Sequence, residues 1–216
     1  MNLGELRARA RREMKDTAKP YLISDEDIDA WLNEAEIEAA RRAFLLVDST
    51  SDAAVVDITA GELGGELHPS VIYVRRARLA STKRPLIPKV SRSMDEENPS
   101  WEEASPSTPL VFVPDWQTGY FRIFPPSLVA DTALLTVVRN PLATMQGDED
   151  SPEIREHYHP MLLDWVKFRA YSQPDADLFN ARLAEKHESA FIKNFGQVAP
   201  IDEHWALEQY YDVGNN

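Results

Sequence analysis

Apolar positions near the start of the chain recur every three or four residues, and that period later breaks. Leu3 to about Ala18 reads as a first helix. A second starts in Ile23-Ser24-Asp25-Glu26-Asp27-Ile28, where Ser24 can cap, Asp27 can reach back as in a capping box and Ile23 can staple onto Ile28. Ile28, Trp31, Leu32, Ala35, Ala39, Ala43 and Leu46 then make one apolar stripe on a helix ending near Asp48. From about Ser49 to Ser151 the pattern becomes short runs of valine, isoleucine and aromatics broken by proline and glycine, which predicts strands at Ala54–Thr59, Val71–Leu79, Leu110–Val113, Tyr120–Phe124 and Thr132–Arg139. The third and fourth form a hairpin with its turn at Pro114–Gly119. Gly61, Gly64 and Gly65 read as a turn, and the acidic, proline-broken stretch from Pro88 to Pro109 as disordered or held from outside.

Helical spacing returns at Ser151 and Pro152, is interrupted by Pro160 and runs to about Ser172. A last helix opens at Pro174 or Asp175, buries Phe179, Leu183, Ala190, Phe191 and Phe195, and stops at Gly196. Trp31, Leu32, Ala35, Ala39, Met161, Leu162, Trp165, Phe179, Leu183 and Phe191 should share a core. The expected fold is α+β: a small helical bundle from 1–48 and 152–196, a β-rich insertion at 49–151, and an extended C-terminal arm at 197–216.

Composition narrows the function. With 216 residues the chain can bury a core without crosslinks, and zero cysteines exclude disulfides, thiolate zinc sites and a cysteine nucleophile, as suits assembly in a reducing cytoplasm. No stretch approaches the roughly 18 to 20 apolar residues of a membrane span, and Met1 leads into an arginine-rich segment without an apolar signal core. Thirty-six acidic against 23 basic residues give a net charge of -13, which repels nucleic-acid phosphates and suits a DNA conduit better than a DNA grip.

Catalytic signatures are sparse. There is no phosphate-cradling glycine loop, no Gly-x-Ser-x-Gly and no His-Glu-x-x-His. Glu156 and His159 have the i, i+3 spacing of carboxylate-bridged metal bundles, but a second Glu-x-x-His is missing and Pro160 disturbs the helix; His157 and His159 bonding backbone near a helix start is the favoured reading. His187-Glu188 and Glu203-His204 read as surface pairs. Arg7, Arg11 and Arg12 make the first helix locally basic, able to meet an acidic partner or DNA, while interleaved Glu5, Glu13 and Asp16 allow a solvated, ion-paired face instead. Trp101, Trp116 and Trp205, with Tyr210 and Tyr211, lie in polar loops or the tail, where large aromatics either fold back or anchor a partner.

The segments Tyr21-Leu22-Ile23-Ser24-Asp25-Glu26, Trp31-Leu32-Asn33-Glu34-Ala35 and Glu38-Ala39-Ala40-Arg41-Arg42-Ala43 make the chain resemble head-to-tail adaptor, or connector, proteins of tailed bacteriophages. So do Pro125-Pro126, the run from Glu153 through His157 and Pro160 to Trp165, and Arg169-Ala170-Tyr171 on to Ala176-Asp177. The resemblance covers nearly all of the chain up to Gly196. It implies a virion neck protein with no cofactor and no reaction: a ring, typically dodecameric, between the portal and tail or neck proteins, with DNA passing through without sequence-specific binding. A carboxylate-histidine metal enzyme and another neck or tail-completion protein are the alternatives. The free protein is expected to be monomeric or weakly associated, with the loop at Trp101 and the arm after Gly196 reaching neighbours.

Overall fold

The computed structural model describes residues 1–174 and 177–197. These form five α-helices and eight strands, and the chain divides into two compact units, one of residues 1–46 with 141–216 and the other of residues 47–140.

In the first unit, α1 (Leu3–Met14) is closed at its start by a reciprocal capping box between Asn2 and Glu5 and ended by Lys15 in the left-handed region. It is therefore shorter than the expected run to Ala18. Helix α2 (Asp25–Ala43) begins as read, with the Ser24 hydroxyl accepting from the Asp27 amide at 3.0 Å. It stops at Phe44, whose φ of 50° reverses the chain, so Leu45 and Leu46 leave the helix and Val47–Asp48 becomes strand β1. Pro160 occupies the first turn of α4 (His159–Tyr171), where its missing amide costs nothing, after a 3-10 turn at Glu156–Tyr158. Ser151 and Pro152 precede that turn and start no helix. Asn180 caps α5 (Ala181–Phe195). Asp175 lies outside the described residues, and Phe179 sits before the helix, 50% exposed, so it is not the core residue that its spacing predicted.

The core of this unit joins Leu3, Leu6, Ile28, Trp31, Leu32, Ala35, Ala39, Leu162, Trp165 and Phe191 from all four helices, with Met161 and Leu183 half-buried at its margin. Trp165 meets Phe168 edge-on and Phe191 at a tilt, with ring centroids 5.3 and 4.9 Å apart.

The second unit overturns the expectation of a helical bundle with a β-rich insertion: the protein is mixed α/β, with an eight-stranded sheet that has its own buried interior. The five predicted strands are β2 (Val55–Ile58), β4 (Val71–Leu79), β6 (Val111–Val113), β7 (Tyr120–Phe124) and β8 (Asp131–Arg139). Added to them are β1, β3 (Gly64–Glu66) and β5 (Pro85–Pro88). The order is β1-β8-β4-β5-β6-β7-β3, with β2 also on β8; every pairing is antiparallel except β5 with β6. Gly64 and Gly65 are strand residues, not a turn. A Cβ on Gly64 would stand 1.8 Å from the Phe121 carbonyl oxygen, and one on Gly65 2.6 Å from Val56, because the sheet curls until β3 returns against β2.

Register separates the two faces. Ala77 pairs with Leu86 and Leu135, and Phe112 with Ile123, all buried. The other face shows Val111 with Phe124 and Val113 with Arg122, covered by the segment that follows β5. That segment is not disordered: it folds into α3 (Ser91–Glu97) and a 3-10 turn at Trp101–Glu103, held by Lys89 on Glu97 and by the Ser91 amide on Asp115 at 2.8 Å.

Candidate functional site

Of the arginines singled out in the first helix, two are engaged in folding. Arg7 forms a two-pronged bond to Asp29 at 2.7 and 2.6 Å and also reaches Asp148 at 2.9 Å. Bonding to Asp29, opposed by burial, holds its guanidinium above the ordinary value. Arg11 is 6% exposed and bonds Asp16 at 2.7 Å, Asp25 at 2.5 Å and the Ile23 carbonyl at 2.9 Å, with its guanidinium 3.8 Å from the Tyr21 ring centroid. These bonds lock the bend between α1 and α2. Arg12 is exposed on that helix.

Trp101 is 1% exposed and packs against Trp116 and Phe124 at 5.4 and 6.0 Å, its indole N–H donating to Asp95 at 2.8 Å. Trp116, on the β6–β7 turn, is half-buried. Between the two indoles lies Arg122, only 2% exposed, 4.7 Å from the Trp101 ring and 4.1 Å from the Trp116 ring. Its Nε and Nη1 have no hydrogen-bond partner among the described residues. Burial pushes its pKa down, with the charges of Glu102 and Tyr120 opposing. Tryptophans that the sequence offered as partner anchors thus face inward on a caged cation. Trp205, Tyr210 and Tyr211 lie outside the described residues.

The metal alternative draws no support from geometry. Glu156 has a side chain 90% exposed, 4.0 Å from the amino group of Met1, whereas His159 is 1% exposed and bonds Ile154 O at 2.8 Å and Met1 O at 3.0 Å. Both reach the Met1 amino group, His159 Nδ1 at 3.0 Å, and His159 bonds backbone as read. His187 pairs with Asp164 at 2.9 Å rather than with Glu188, and His204 lies outside the described residues. Among the described residues no group of three or more metal-ligating side chains converges. No described helix is long and apolar enough to cross a membrane.

Two surfaces escaped the sequence reading. The first is a groove where the segment after β8 crosses α2. Asn33 pins it by exchanging bonds with the Met145 backbone at 2.7 and 3.0 Å. Glu36, 2% exposed, accepts from the amides of Glu153 and Ile154. Burial raises its pKa against the pull of those bonds, and the Glu153 charge adds to the rise. Two adjoining hollows of about 90 and 430 Å³ share Leu142, Ala143 and Thr144, with Ile37 on one side and Asp150 and Glu153 on the other.

The second is the uncovered part of the sheet's outer face. Arg76 lies opposite Thr136, and Arg78 opposite both Leu134 and Pro85, with Val55 beyond Leu134 and Ile87 two residues past Pro85. Arg76 and Arg78 are exposed, as are Lys83 and Arg84 in the turn before β5. The signal was legible: residues 67–94 contain seven lysines and arginines and no acid until Asp95, in a chain whose net charge is -13. Lys89 and Arg92 find Glu97 and Glu96. No ion pair among the described residues engages Arg76, Arg78, Lys83 or Arg84.

A family profile described as SU10 adaptor protein matches residues 1–211. No curated protein matches the chain.

Proposed function

The chain belongs to the SU10 adaptor protein family, a family of head-to-tail adaptors of tailed phages, and on that premise we propose that it is a non-enzymatic ring subunit between portal and tail. The family match over residues 1–211 is the observation that carries this reading. The ring is taken to be dodecameric, to sit in the virion neck after assembly in the host cytoplasm, and to surround passing DNA. A net charge of -13 fits a conduit wall that lets phosphates slide. Mutual repulsion of such subunits favours rings completed on the portal over rings formed free in solution.

Partner contacts in this reading fall to Arg12 on α1 and to the segment after Gly196, where Trp205, Leu207, Tyr210 and Tyr211 supply aromatic and apolar anchors for a neighbour or the portal. A chain stopped at Gly196 should fold yet join the portal poorly; normal joining refutes that role. The function itself is tested by deleting the gene and imaging particles. DNA-filled heads without tails are expected, with wild-type particles showing the protein at the neck by antibody labelling. Tailed, infectious particles from the deletion would overturn the reading, and labelling elsewhere on the particle would favour another tail-completion role.

A further inference from the structure

We propose that neighbouring copies of this chain join head to tail, the basic outer face of the sheet of one copy seating on the acidic groove beside α2 of the next. The inference deepens the ring reading and rests on it.

Both surfaces are built and complementary. On the sheet, Arg76 and Arg78 stand among Val55, Leu134 and Ile87, with Val55 38% and Ile87 57% exposed. Cations mixed with aliphatic side chains make a poor surface for water and a good one for an interface. The β6–β7 part of the same outer face is sealed by α3 and Trp101, whereas this part is left uncovered by its own unit. Its acid Asp57 accepts from the Thr132 hydroxyl at 3.1 Å, and Asp131 at the start of β8 is held by Ser81. The turn before β5 extends the cationic strip with Lys83 and Arg84.

The groove offers the converse. Leu142 is 45% and Ile37 38% exposed, so its floor is apolar. Its rim bears Asp150 and Glu153 next to Asp148 and Glu149, and the larger hollow of about 430 Å³ can admit an arginine head. Asp150 accepts from the amides of Gln146 and Gly147, both at 2.8 Å, and those bonds hold its pKa down, so its charge persists.

Charge decides the occupant. Duplex DNA would suit the arginines but not the groove, and an acidic partner would suit the face but leave the groove unmatched. A second copy satisfies both. Because the two surfaces differ, the contact is heterologous, and repeating it builds a closed ring when the rotation allows. Such steering matters most in an acidic protein, whose copies repel one another through a net charge of -13.

The absence of cysteine permits a clean test on the full chain. One set of copies receives Arg76→Cys, Arg78→Cys or Arg84→Cys, and another Leu142→Cys, Glu149→Cys or Asp150→Cys; the sets are mixed with portal and oxidised with diamide. At least one cross-set pair should give a covalent dimer, at least about tenfold above the same pair under denaturant. No cross-set dimer, or dimers only within a set, overturns the proposal. As a second measurement, R76E/R78E should abolish neck incorporation and D150R/E149R should restore it. A double reversal that incorporates normally overturns the interface while leaving the adaptor reading intact, whereas absence of the wild-type protein from the neck removes the adaptor reading itself. Duplex DNA binding lost in R76E/R78E, without any cross-set dimer, assigns the face to DNA instead.

Discussion

Arg11 and Arg122 are both nearly inaccessible, and the two units treat them in opposite ways. In the helical unit Arg11 meets Asp16, Asp25 and a backbone carbonyl, so each side of its guanidinium is answered by oxygen. In the sheet unit Arg122 meets two indole faces, and two of its nitrogens have no partner among the described residues. The same contrast extends to the surface. Arg7 and Lys167 on the helices are paired with Asp29 and Glu13, while Arg76 and Arg78 on the sheet have no ion pair among the described residues. Cations of the helical unit hold the fold, and those of the sheet unit include a set left available.

The largest expected effect breaks the first half of that comparison. Arg11→Ala removes the cation paired at 2.7 Å with Asp16, itself 3% exposed, and leaves that carboxylate only the Leu22 and Ile23 amides at 2.9 and 3.2 Å among the described residues. An uncompensated buried charge of this kind costs about 3–5 kcal/mol. Denaturant unfolding should show it as a lower midpoint at unchanged slope. A loss below about 1 kcal/mol would mean that Arg11 is not a structural cation and is open to the partner role its sequence position suggested.

The helical half was more legible than the sheet half, for physical reasons. A capping serine, a stapling isoleucine and a stripe from Ile28 to Ala39 are local signals, and α2 starts where they place it. Its end was misread because Phe44 takes a left-handed conformation that no glycine announced. In the sheet the long strands β4 and β8 were readable from their β-branched runs, but β1, β3 and β5 have two to four residues each and exist only through their partners. Trp101 could be read as needing burial, yet not where, since its pocket is formed by β6, β7 and the Trp116 turn. The groove joins Asn33 to Met145 across 112 positions of sequence, beyond the reach of any local pattern.

Acid separates the units in a second, smaller way. Burial alone would raise the Asp48 carboxyl, but the Ser51 hydroxyl, the Thr50 amide, Arg139 and the Ser51 amide together hold it well below the usual carboxylate range. Its folded value is the lower one, so its stabilisation is complete above the unfolded value and drains as the pH falls through the folded value. Glu36 has the opposite sign: raised by burial, it contributes fully below the unfolded value and loses that contribution as the pH rises through the folded one. Hydrogen exchange at pH 6 and about pH 3 should therefore show Val137 and Val138, paired with β1, losing protection more than the amides of α2. Equal losses in the two units would show that these carboxylates do not govern the response.

Arg122→Met sharpens the other half of the comparison. A lone buried guanidinium gains from the Trp101 and Trp116 faces but leaves two donors unsatisfied, whereas methionine fills similar volume and stacks well on aromatic rings. Stability should stay within about 1 kcal/mol or rise, in contrast to the Arg11 substitution. A marked loss would reveal an electrostatic role for the cage that its geometry does not suggest.

The smallest effect belongs to Arg12, and its smallness is the point. It is exposed on α1 between the paired Arg11 and Glu13, where removal of a surface charge changes stability by less than about 0.5 kcal/mol. Arg12→Ala should leave the unfolding midpoint unmoved. If Arg12 contacts an acidic partner, the same variant should slow binding to the portal at low salt and differ little from wild type at high salt, because screening removes a steering charge at a rim. A destabilised variant would place Arg12 with Arg7 and Arg11 among the cations that hold the fold. A stable variant that joins the portal at the wild-type rate at every salt concentration would remove Arg12 from the interface.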